Sequence, residues 1–456
     1  MNDPNGPIFW RGTYHMFFQY NPNAAVWGDM HWAHAISQDM IHWKHLPVAL
    51  APTGGGPDQD GCFSGSAVDD HGTATLIYTG VSTVERRQAT LRDGTHNFRE
   101  TQLLATSTDP SLRTWQKFPQ PVIPPPNDPQ ITGFRDPFVW KEKNIWFVGV
   151  GSGQRKKGGN VLLYRSTDLR NWDSVGVLAS GKWNGKNTPD SVDSGEMWEC
   201  PDFFKLGDKY VLIYSTERKV FWESGELDPQ EVVFHAQKQG LLDSGAFYAP
   251  KTQTAANGDR MLWAWIPETR AESEFRQAGW AGCMSLPRVL TLDSRGQLKM
   301  RVTSQAAELR SKQFSLPGSQ IAATERLGAL RQLRIENLAA EISLRFRNAA
   351  FTMKLMCGAV GFLTLNYDPA RTGKELLAGN SAAPLSASKG EEVAIDLFLD
   401  GSVIEIFANE ICCLTTRVYQ IPAGPLSIEV SASDLANVRS LRAWQMLPIS
   451  RDRLTT

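Results

Sequence analysis

A repeated turn pattern constrains the fold of this chain more than any other feature. A serine and an aspartate two residues apart precede a tryptophan three times, as Ser37-x-Asp39 with Trp43, Ser166-x-Asp168 with Trp172, and Ser107-x-Asp109 with Trp115. In the last two copies, an apolar run leads directly into Ser-Thr-Asp. The three aspartates are 70 and then 59 residues apart, about the size of one four-stranded propeller blade. The pattern predicts strands that end in Asp-supported turns, with Trp filling the gap to the next strand, and it favours a β-propeller.

The rest of the first ~300 residues also indicates an all-β fold. Short apolar runs alternate with clusters of Gly, Pro, Asn and Asp, for example at residues 13–20, 73–78, 145–150, 161–164 and 210–214. These runs have the length of strands, and long helical periodicity is nearly absent.

A second β region follows a short connector. Residues 305–310 are the best short helix candidate, so we predict a first domain at 1–302, a helical linker at 303–313 and a second domain at 314–456. Within the second domain, apolar residues alternate up to a hairpin turn at Asp400-Gly401 and resume after it, at Val393, Ile395, Leu397, Leu399, Ile404 and Ile406. This pattern predicts an antiparallel sheet with one buried face, as in a β-sandwich.

Composition excludes several functional classes. The net charge of −1 argues against nucleic acid or an anionic membrane as the main partner. No apolar run is long enough to span a membrane, and no signal peptide is visible. Six cysteines are too sparse for a disulfide scaffold, so most are expected to be free and buried. Four of the eight histidines lie at 31–45, but residues three apart on a strand face opposite sides, so no metal or other cofactor is predicted.

Three acidic motifs carry the candidate chemistry. Asp3 lies in Met1-Asn2-Asp3-Pro4-Asn5-Gly6, Asp136 in Gly133-Phe134-Arg135-Asp136-Pro137, and Glu199 in Glu196-Met197-Trp198-Glu199-Cys200-Pro201-Asp202. Glycoside cleavage needs one ionised and one protonated carboxyl group, and a third polar group helps to hold the sugar. Each string alone is compatible with an ordinary turn or strand end.

With these three motifs in this order, the chain resembles glycoside hydrolase family 32, the invertase and fructanase family. The resemblance covers nearly the whole chain, including the strand pair around residues 400–409. It implies a five-bladed propeller with the active site at the mouth of a central funnel, followed by a β-sandwich. It also implies that Asp3 is the nucleophile, Glu199 the general acid/base and Asp136 the transition-state stabiliser.

The implied reaction is release of terminal, non-reducing β-fructofuranosyl units from sucrose or fructans by double displacement. Retention requires the Asp3 and Glu199 carboxyl groups to lie roughly 5–5.5 Å apart. We expect hydrogen bonds from neighbours such as Asn2 to keep the pKa of Asp3 low, and Arg135 to keep Asp136 ionised. Apolar neighbours are expected to keep Glu199 protonated.

Further residues match the family's substrate-shaping segments. The predicted substrate-binding residues are Asn2, Gln19, Trp27, Phe63, Ser64, Arg135, Cys200, Tyr248 and Trp265. Gln19 and Ser64 are candidates for hydrogen bonds to sugar hydroxyls. Trp27 and Phe63 are candidates for a wall against the furanose ring, and plain core packing is the alternative for both.

Other functions remain open at this point. A sialidase propeller shares the turn pattern but needs an arginine triad and a tyrosine nucleophile. A fructosyltransferase, or a sugar-binding protein without catalysis, would keep the same motifs. Family members usually have residues ahead of the first motif, including a Trp before its Met, whereas here that Met is residue 1. Either upstream residues are missing or the propeller closes without them, and Asp3 is expected to fray. The sequence decides neither localisation nor oligomeric state.

Overall fold

A computed structural model describes residues 1–371, 375–387 and 390–449. The chain divides into two compact units. The first comprises Met1–Leu241 and Phe247–Leu298, and the second comprises Leu242–Ala246 and the described residues from Lys299 to Ile449. The predicted first domain, residues 1–302, also includes residues 242–246 and 299–302, which the structure groups with the second unit.

Five antiparallel sheets form the first unit, apart from residues 242–243 and 299–302 at the ends of the fourth and fifth sheets, which group with the second unit. In the first four sheets consecutive strands pair in chain order, and in the fifth one two-residue strand lies off this path. The first sheet contains β1 (Pro4–Trp10), β2 (Thr13–Tyr20), β3 (His31–Ser37) and β4 (Trp43–Leu50). The second contains β5 (Gly61–Asp70), β6 (Thr73–Thr83), β7 (Phe98–Ser107) and β8 (Gln116–Lys117). The third contains β9 (Ile131–Glu142), β10 (Ile145–Gln154), β11 (Gly158–Ser166) and β12 (Asp173–Ser180). The fourth contains β13 (Glu199–Leu206), β14 (Lys209–Thr216), β15 (Lys219–Leu227) and β16 (Phe234–Asp243). The fifth contains β17 (Tyr248–Thr254), β18 (Arg260–Ile266), β19 (Cys283–Met284), β20 (Arg288–Leu292) and β21 (Leu298–Val302), with helix α1 (Glu272–Ala278) between β18 and β19.

The first strands of these sheets are neighbours in a closed order. β1 lies beside β5, β5 beside β9, β9 beside β13, β13 beside β17, and β17 beside β1. Apolar side chains fill the spaces between consecutive sheets; one such cluster joins Phe138 and Leu163 of the third sheet to Phe203 and Leu212 of the fourth. All the strands expected from apolar runs are present, and the run at 13–20 is β2 itself.

The predicted Asp-supported turns are confirmed. The Ser166 hydroxyl donates to Asp168 (3.0 Å), whose carboxylate accepts the backbone N–H groups of Arg170 and Asn171. Trp172 donates from its indole N–H to the Leu169 carbonyl (3.0 Å), so the tryptophan closes its own turn as well as packing. The corresponding tryptophans Trp43 and Trp115 donate in the same way. The three-residue spacing between carbonyl and indole explains why these residues recur together.

The second unit consists mainly of two antiparallel sheets on one apolar core. One sheet has the order β22 (Arg310–Ser315), β32 (Val438–Met446), β23 (Ala339–Arg347), β28 (Glu392–Asp400), β29 (Val403–Ala408), β30 (Cys412–Arg417). The other has the order β27 (Ser381–Pro384), β26 (Glu375–Ala378), β25 (Val360–Tyr367), β24 (Phe351–Cys357), β31 (Leu426–Val430). The helices are α2 (Ala323–Leu330) and α3 (Ala432–Asn437). This is the predicted sandwich arrangement.

The alternating strand and its hairpin are confirmed. Val393, Ile395, Leu397 and Leu399 of β28 are all buried, and Asp400 pairs with Val403 across a two-residue turn. A 3₁₀ helix, η1 (Ser304–Leu309), occupies the predicted helical linker. β22 begins directly after it, at Arg310, before the predicted start of the second region at residue 314.

Five of the six cysteines are buried, as expected. Within the described ranges, no helix is both long and apolar enough to cross a membrane.

Candidate active site

A backbone irregularity occurs in the first strand of each sheet of the first unit. The strand registers shift near Asn5, Ser64, Asp136, Cys200 and Ala249. Asp136 (φ 63°), Cys200 (φ 45°) and Ala249 (φ 51°) are left-handed. Bulges redirect side chains, and non-glycine residues in this conformation cost about 1–3 kcal/mol each. The five sheets therefore use one device to turn residues toward a shared centre.

Two of these residues, Ser64 and Asp136, line a cavity of about 250 Å³. Its lining includes most of the predicted site, namely Asn2, Asp3, Gln19, Trp27, Phe63, Ser64, Arg135, Asp136 and Glu199. Six residues that were not predicted also line it, namely Met30, Leu91, Arg92, Asp93, Asp190 and Ser191. The three motif carboxylates lie far apart in the sequence, yet they share one cavity.

Asp3 is held by donors from three segments. The Ser64 hydroxyl donates to Oδ2 (2.7 Å) and the Asn2 amide to Oδ1 (3.1 Å), and the Cys200 thiol lies 3.5 Å from Oδ2. Burial nevertheless raises the pKa of Asp3, and the charge of Glu199 adds to this, while the Ser64 hydrogen bond opposes it. The expectation of a low pKa is wrong because the neighbouring hydroxyl and amide do not replace the lost hydration.

The start of the chain is tied down by its backbone. Gln19 donates its N–H to the Asp3 carbonyl (2.9 Å), and Asn2 donates to the Gln19 carbonyl (3.1 Å). The terminal ammonium donates to the Ala281 carbonyl (2.9 Å). The expected fraying at Asp3 is therefore wrong for this structure.

Asp136 is buried beside its partners. Its Oδ2 accepts the Cys200 backbone N–H (2.9 Å), and its own N–H donates to the Thr79 hydroxyl (2.9 Å). The guanidinium of Arg135 comes only within 4.0 Å of it. Burial raises the pKa of Asp136 to about 7, although Arg135 lowers it, and Glu199 and Asp3 raise it further. The expectation that Arg135 keeps Asp136 ionised is thus not met, because burial outweighs the effect of the Arg135 charge on the pKa of Asp136.

Glu199 receives the cation instead. Arg135 donates to Glu199 Oε1 from Nη2 (2.8 Å) and Nε (3.1 Å), and the Tyr248 hydroxyl donates to Oε2 (2.6 Å). Met197 and Trp198 are buried, but the carboxyl group itself faces polar partners. The predicted apolar surroundings of Glu199 are therefore wrong: its environment is an ion pair and a phenol, supplied by β9 and β17.

Glu100 is a buried acid that the sequence analysis missed. It is inaccessible to solvent, and it accepts hydrogen bonds from Arg135 Nη1 (2.8 Å), the Phe134 backbone N–H (2.7 Å) and the Thr90 hydroxyl (2.8 Å). The available signal was a glutamate in phase with Phe98 and other buried residues of β7. The polar Arg92-Asp93 and Asp190-Ser191 pairs lie in loops and carried no such signal.

The aromatic residues occupy different depths. Trp27 is half exposed (51%) at the cavity and meets Phe63 edge-on (5.8 Å), so it is not core packing, whereas Phe63 is buried and also contacts Phe98. Trp265 lies behind the cavity lining, with its ring edge-on to Tyr248 (6.4 Å).

The remaining predicted residues support the lining. The Gln19 amide donates to the Cys62 carbonyl (3.0 Å), and its Oε1 is buried with no hydrogen-bond partner among the described residues. Cys200 and Tyr248 contact the acids rather than the cavity itself. Their contacts with substrate remain predictions.

The histidines of residues 31–45 do not converge. His34 faces His15 (2.9 Å), whereas His42 contacts Asp39 and His31 the Asp29 carbonyl. Nowhere in the described part of the chain do three or more His, Cys, Asp or Glu side chains form a metal-binding group. The donors at the cavity are carboxyl, hydroxyl, amide and guanidinium groups, which suit a neutral, hydroxyl-rich ligand and proton transfer to it.

Comparisons with known proteins extend over the whole chain. Residues 1–302 match the model of the glycosyl hydrolases family 32 N-terminal domain, and residues 299–445 match the family 32 C-terminal model. A sucrose-6-phosphate hydrolase of Escherichia coli is 36% identical, over 98% of this chain and 92% of its own. A β-fructofuranosidase of Bombyx mori, in a structure with sucrose, is 29% identical with a TM-score of 0.79 (98% and 92% coverage). A fructan 1-exohydrolase of Cichorium intybus, in complex with 1-kestose, is 25% identical with a TM-score of 0.76 (98% and 95% coverage).

Proposed function

The chain belongs to glycoside hydrolase family 32, and from this premise we propose that it hydrolyses terminal, non-reducing β-fructofuranosyl bonds of sucrose or related fructosides. The observation that carries the proposal is that Asp3, Asp136 and Glu199 line one cavity. The relatives named above, a sucrose-6-phosphate hydrolase, a β-fructofuranosidase and a fructan exohydrolase, support this substrate class.

The proposed mechanism is double displacement. Glu199 protonates the leaving oxygen while Asp3 attacks the anomeric carbon, and Glu199 then deprotonates water to release fructose. Tyr248 and Arg135 orient Glu199 through their hydrogen bonds. Ser64 stabilises the ionised form of Asp3, which attack requires. Asp136 binds fructose hydroxyls as the sugar gains positive charge.

We also propose that the first unit is a five-bladed propeller with this cavity at one end of its axis. Five sheets of consecutive strands, whose first strands neighbour one another in a closed order, support it. The register shifts in three of these strands lie at or beside Ser64, Asp136 and Glu199 of the cavity lining, which fits a funnel where the sheets meet.

The experiment is fructose release from sucrose, 1-kestose and inulin by the wild type, Asp3→Asn and Glu199→Gln. Each variant is expected to lose at least about a hundredfold in kcat. Asp208→Asn is the matched control, because Asp208 is exposed in the β13–β14 turn of the same sheet as Glu199. Full activity in either cavity variant, or equal loss in the control, would contradict the assignment.

Stereochemistry tests the mechanism separately. Proton NMR during early hydrolysis should show the β anomer of fructose first, before mutarotation. The α anomer as first product would reject double displacement. Accumulation of longer oligosaccharides at high sucrose concentration would instead identify a fructosyltransferase.

A phosphorylated sucrose is a second candidate substrate, favoured by the charge at the cavity rim. Arg92 lines the cavity and donates to the Ile131 carbonyl (2.8 Å). Burial lowers the pKa of Arg92, and the nearby positive charges of Arg155 and Arg86 lower it further. Clustered guanidinium groups suit a phosphate monoester.

The kcat/KM values for sucrose and sucrose 6-phosphate test this candidate. Arg92→Gln should reduce the value for the phosphorylated sugar about tenfold or more relative to sucrose. Arg99→Gln, at an exposed position of β7, is the control. Equal values for both sugars in the wild type would reject phosphate recognition.

A further inference from the structure

Glu100 is a carboxylate that cannot reach the substrate and yet contacts the site. It lies on β7, has no exposed surface and is absent from the cavity lining. One oxygen accepts from Arg135 Nη1, and the other from the Phe134 N–H and the Thr90 hydroxyl. Three donors from three directions fix the carboxylate in place.

Arg135 is shared between two acids as a result. Its Nη1 points to Glu100, while Nη2 and Nε point to Glu199. A planar guanidinium with partners on two edges can neither rotate nor slide without breaking an ion pair. Its orientation toward Glu199 is therefore set by a residue outside the cavity.

We propose that Glu100 is a positioning residue that fixes Arg135 and balances its charge, and so supports Glu199 as the proton donor to the leaving group. This inference rests on the proposed acid/base role of Glu199. Without Glu100, the positive charge of Arg135 would act on Glu199, its hydrogen-bonded partner, and on Asp136 at 4.0 Å. An opposite charge within about 4 Å favours the ionised carboxylate, and an ionised Glu199 cannot protonate a leaving group.

Other groups also act on Glu199, and none of them replaces this balance. Tyr248 donates to it, whereas Asp3, Asp136 and Asp190 repel its charge from the other sides of the cavity. The charge of Glu100 also acts on a second cation at the cavity, Arg92, and opposes the lowering of its pKa by burial.

The test is the pH dependence of kcat/KM for fructoside hydrolysis. Its basic limb reports the proton on the general acid. In Glu100→Gln this limb should move to lower pH by about one unit, because a neighbouring charge of this kind shifts a carboxyl by about 1–3 units. Thr90→Val is the control: it removes one hydrogen bond to Glu100 but keeps the charge, so its limb should stay within the error of the wild type.

A merely structural role would give a different result. It would lower the melting temperature and the amount of active enzyme in both variants without moving either limb, and that outcome would overturn the proposal. So would an equal shift in Thr90→Val. If Glu100→Gln does not fold, the double variant Glu100→Gln/Arg135→Gln removes both charges and buries no lone cation. The basic limb of kcat/KM in this double variant should move to higher pH. An unmoved limb would refute the proposed charge balance between Glu100 and Arg135.

The failure of this inference is distinguishable from failure of the proposed function. If Glu199→Gln keeps its activity, the acid/base assignment is wrong. If Glu199→Gln is inactive while Glu100→Gln keeps the wild-type pH profile, the role of Glu100 alone is rejected.

Discussion

Removal of the Ser64 hydroxyl should move the acidic limb of the pH–rate profile. Ser64 is almost fully buried and donates to Asp3 Oδ2 at 2.7 Å. A hydrogen bond to a charged group contributes about 1.5–3 kcal/mol, and one pKa unit corresponds to about 1.4 kcal/mol. Because this bond opposes the burial that already raises the pKa of Asp3, Ser64→Ala should raise it further, by about one to two units.

The sign of the effect follows from the role of Asp3. A nucleophile attacks in its ionised form, so a higher pKa leaves a smaller ionised fraction at acidic pH. The acidic limb of kcat/KM for sucrose should therefore shift to higher pH by about one unit or more, while the basic limb stays in place. Rates of fructose release at closely spaced pH values measure both limbs.

Ser66→Ala is the matched control for this experiment. Ser66 lies two residues further along β5, and its buried hydroxyl has no protein partner in the described part of the chain. Its removal should leave the acidic limb unchanged. An unmoved limb in Ser64→Ala, or an equal shift in both variants, would refute the hydrogen-bond argument.

Two further predictions concern stability. Burial lowers the pKa of His15 to about 4 and that of His34 to about 3. The folded state therefore binds fewer protons than the unfolded chain in mildly acidic solution. The stability that these two groups contribute is fully present above about pH 6.5 and is lost as the pH drops below it. Urea unfolding should show a loss of about 4 kcal/mol between pH 7 and 5 from these two groups, and the double variant His15→Gln/His34→Gln should flatten this dependence. Gly153→Ala should destabilise the first unit by about 3 kcal/mol, because its Cβ would overlap the Glu196 carbonyl oxygen; Gly54→Ala, with nothing near its Cβ, should leave the melting temperature within about one degree.

Much of the fold could be predicted from the sequence because its signals are local. The turn at Ser166 and Asp168 is closed by atoms within a few residues of one another. The buried face of β28 follows from strict alternation over nine residues. The bulges were not predicted from the sequence. The left-handed residues Asp136 and Cys200 are joined by a hydrogen bond between different strands, which is not a local signal.

The candidate site was predicted in its residues but not in its electrostatics. Asp3, Asp136 and Glu199 share the cavity, as the three motifs implied. Arg135 was expected to keep its neighbour Asp136 ionised, whereas the fold directs its guanidinium to Glu199 and leaves it 4.0 Å from Asp136. Adjacent residues on a strand face different sides, so sequence proximity is a poor guide to ion pairing.

The sequence by itself determined the β architecture and the strand-ending turns, because these depend on short-range hydrogen bonding or on the two-residue strand period. The three acids were indicated by the resemblance of their motifs to a known family, not by local geometry. Only the tertiary structure decided which acid receives the cation, how far burial raises the pKa of Asp3 and Asp136, and that Glu100 stands behind Arg135. Desolvation and charge act through space and depend on every surrounding segment. The partners of Arg135 lie 35 and 64 residues away along the chain, and folding alone brings them together.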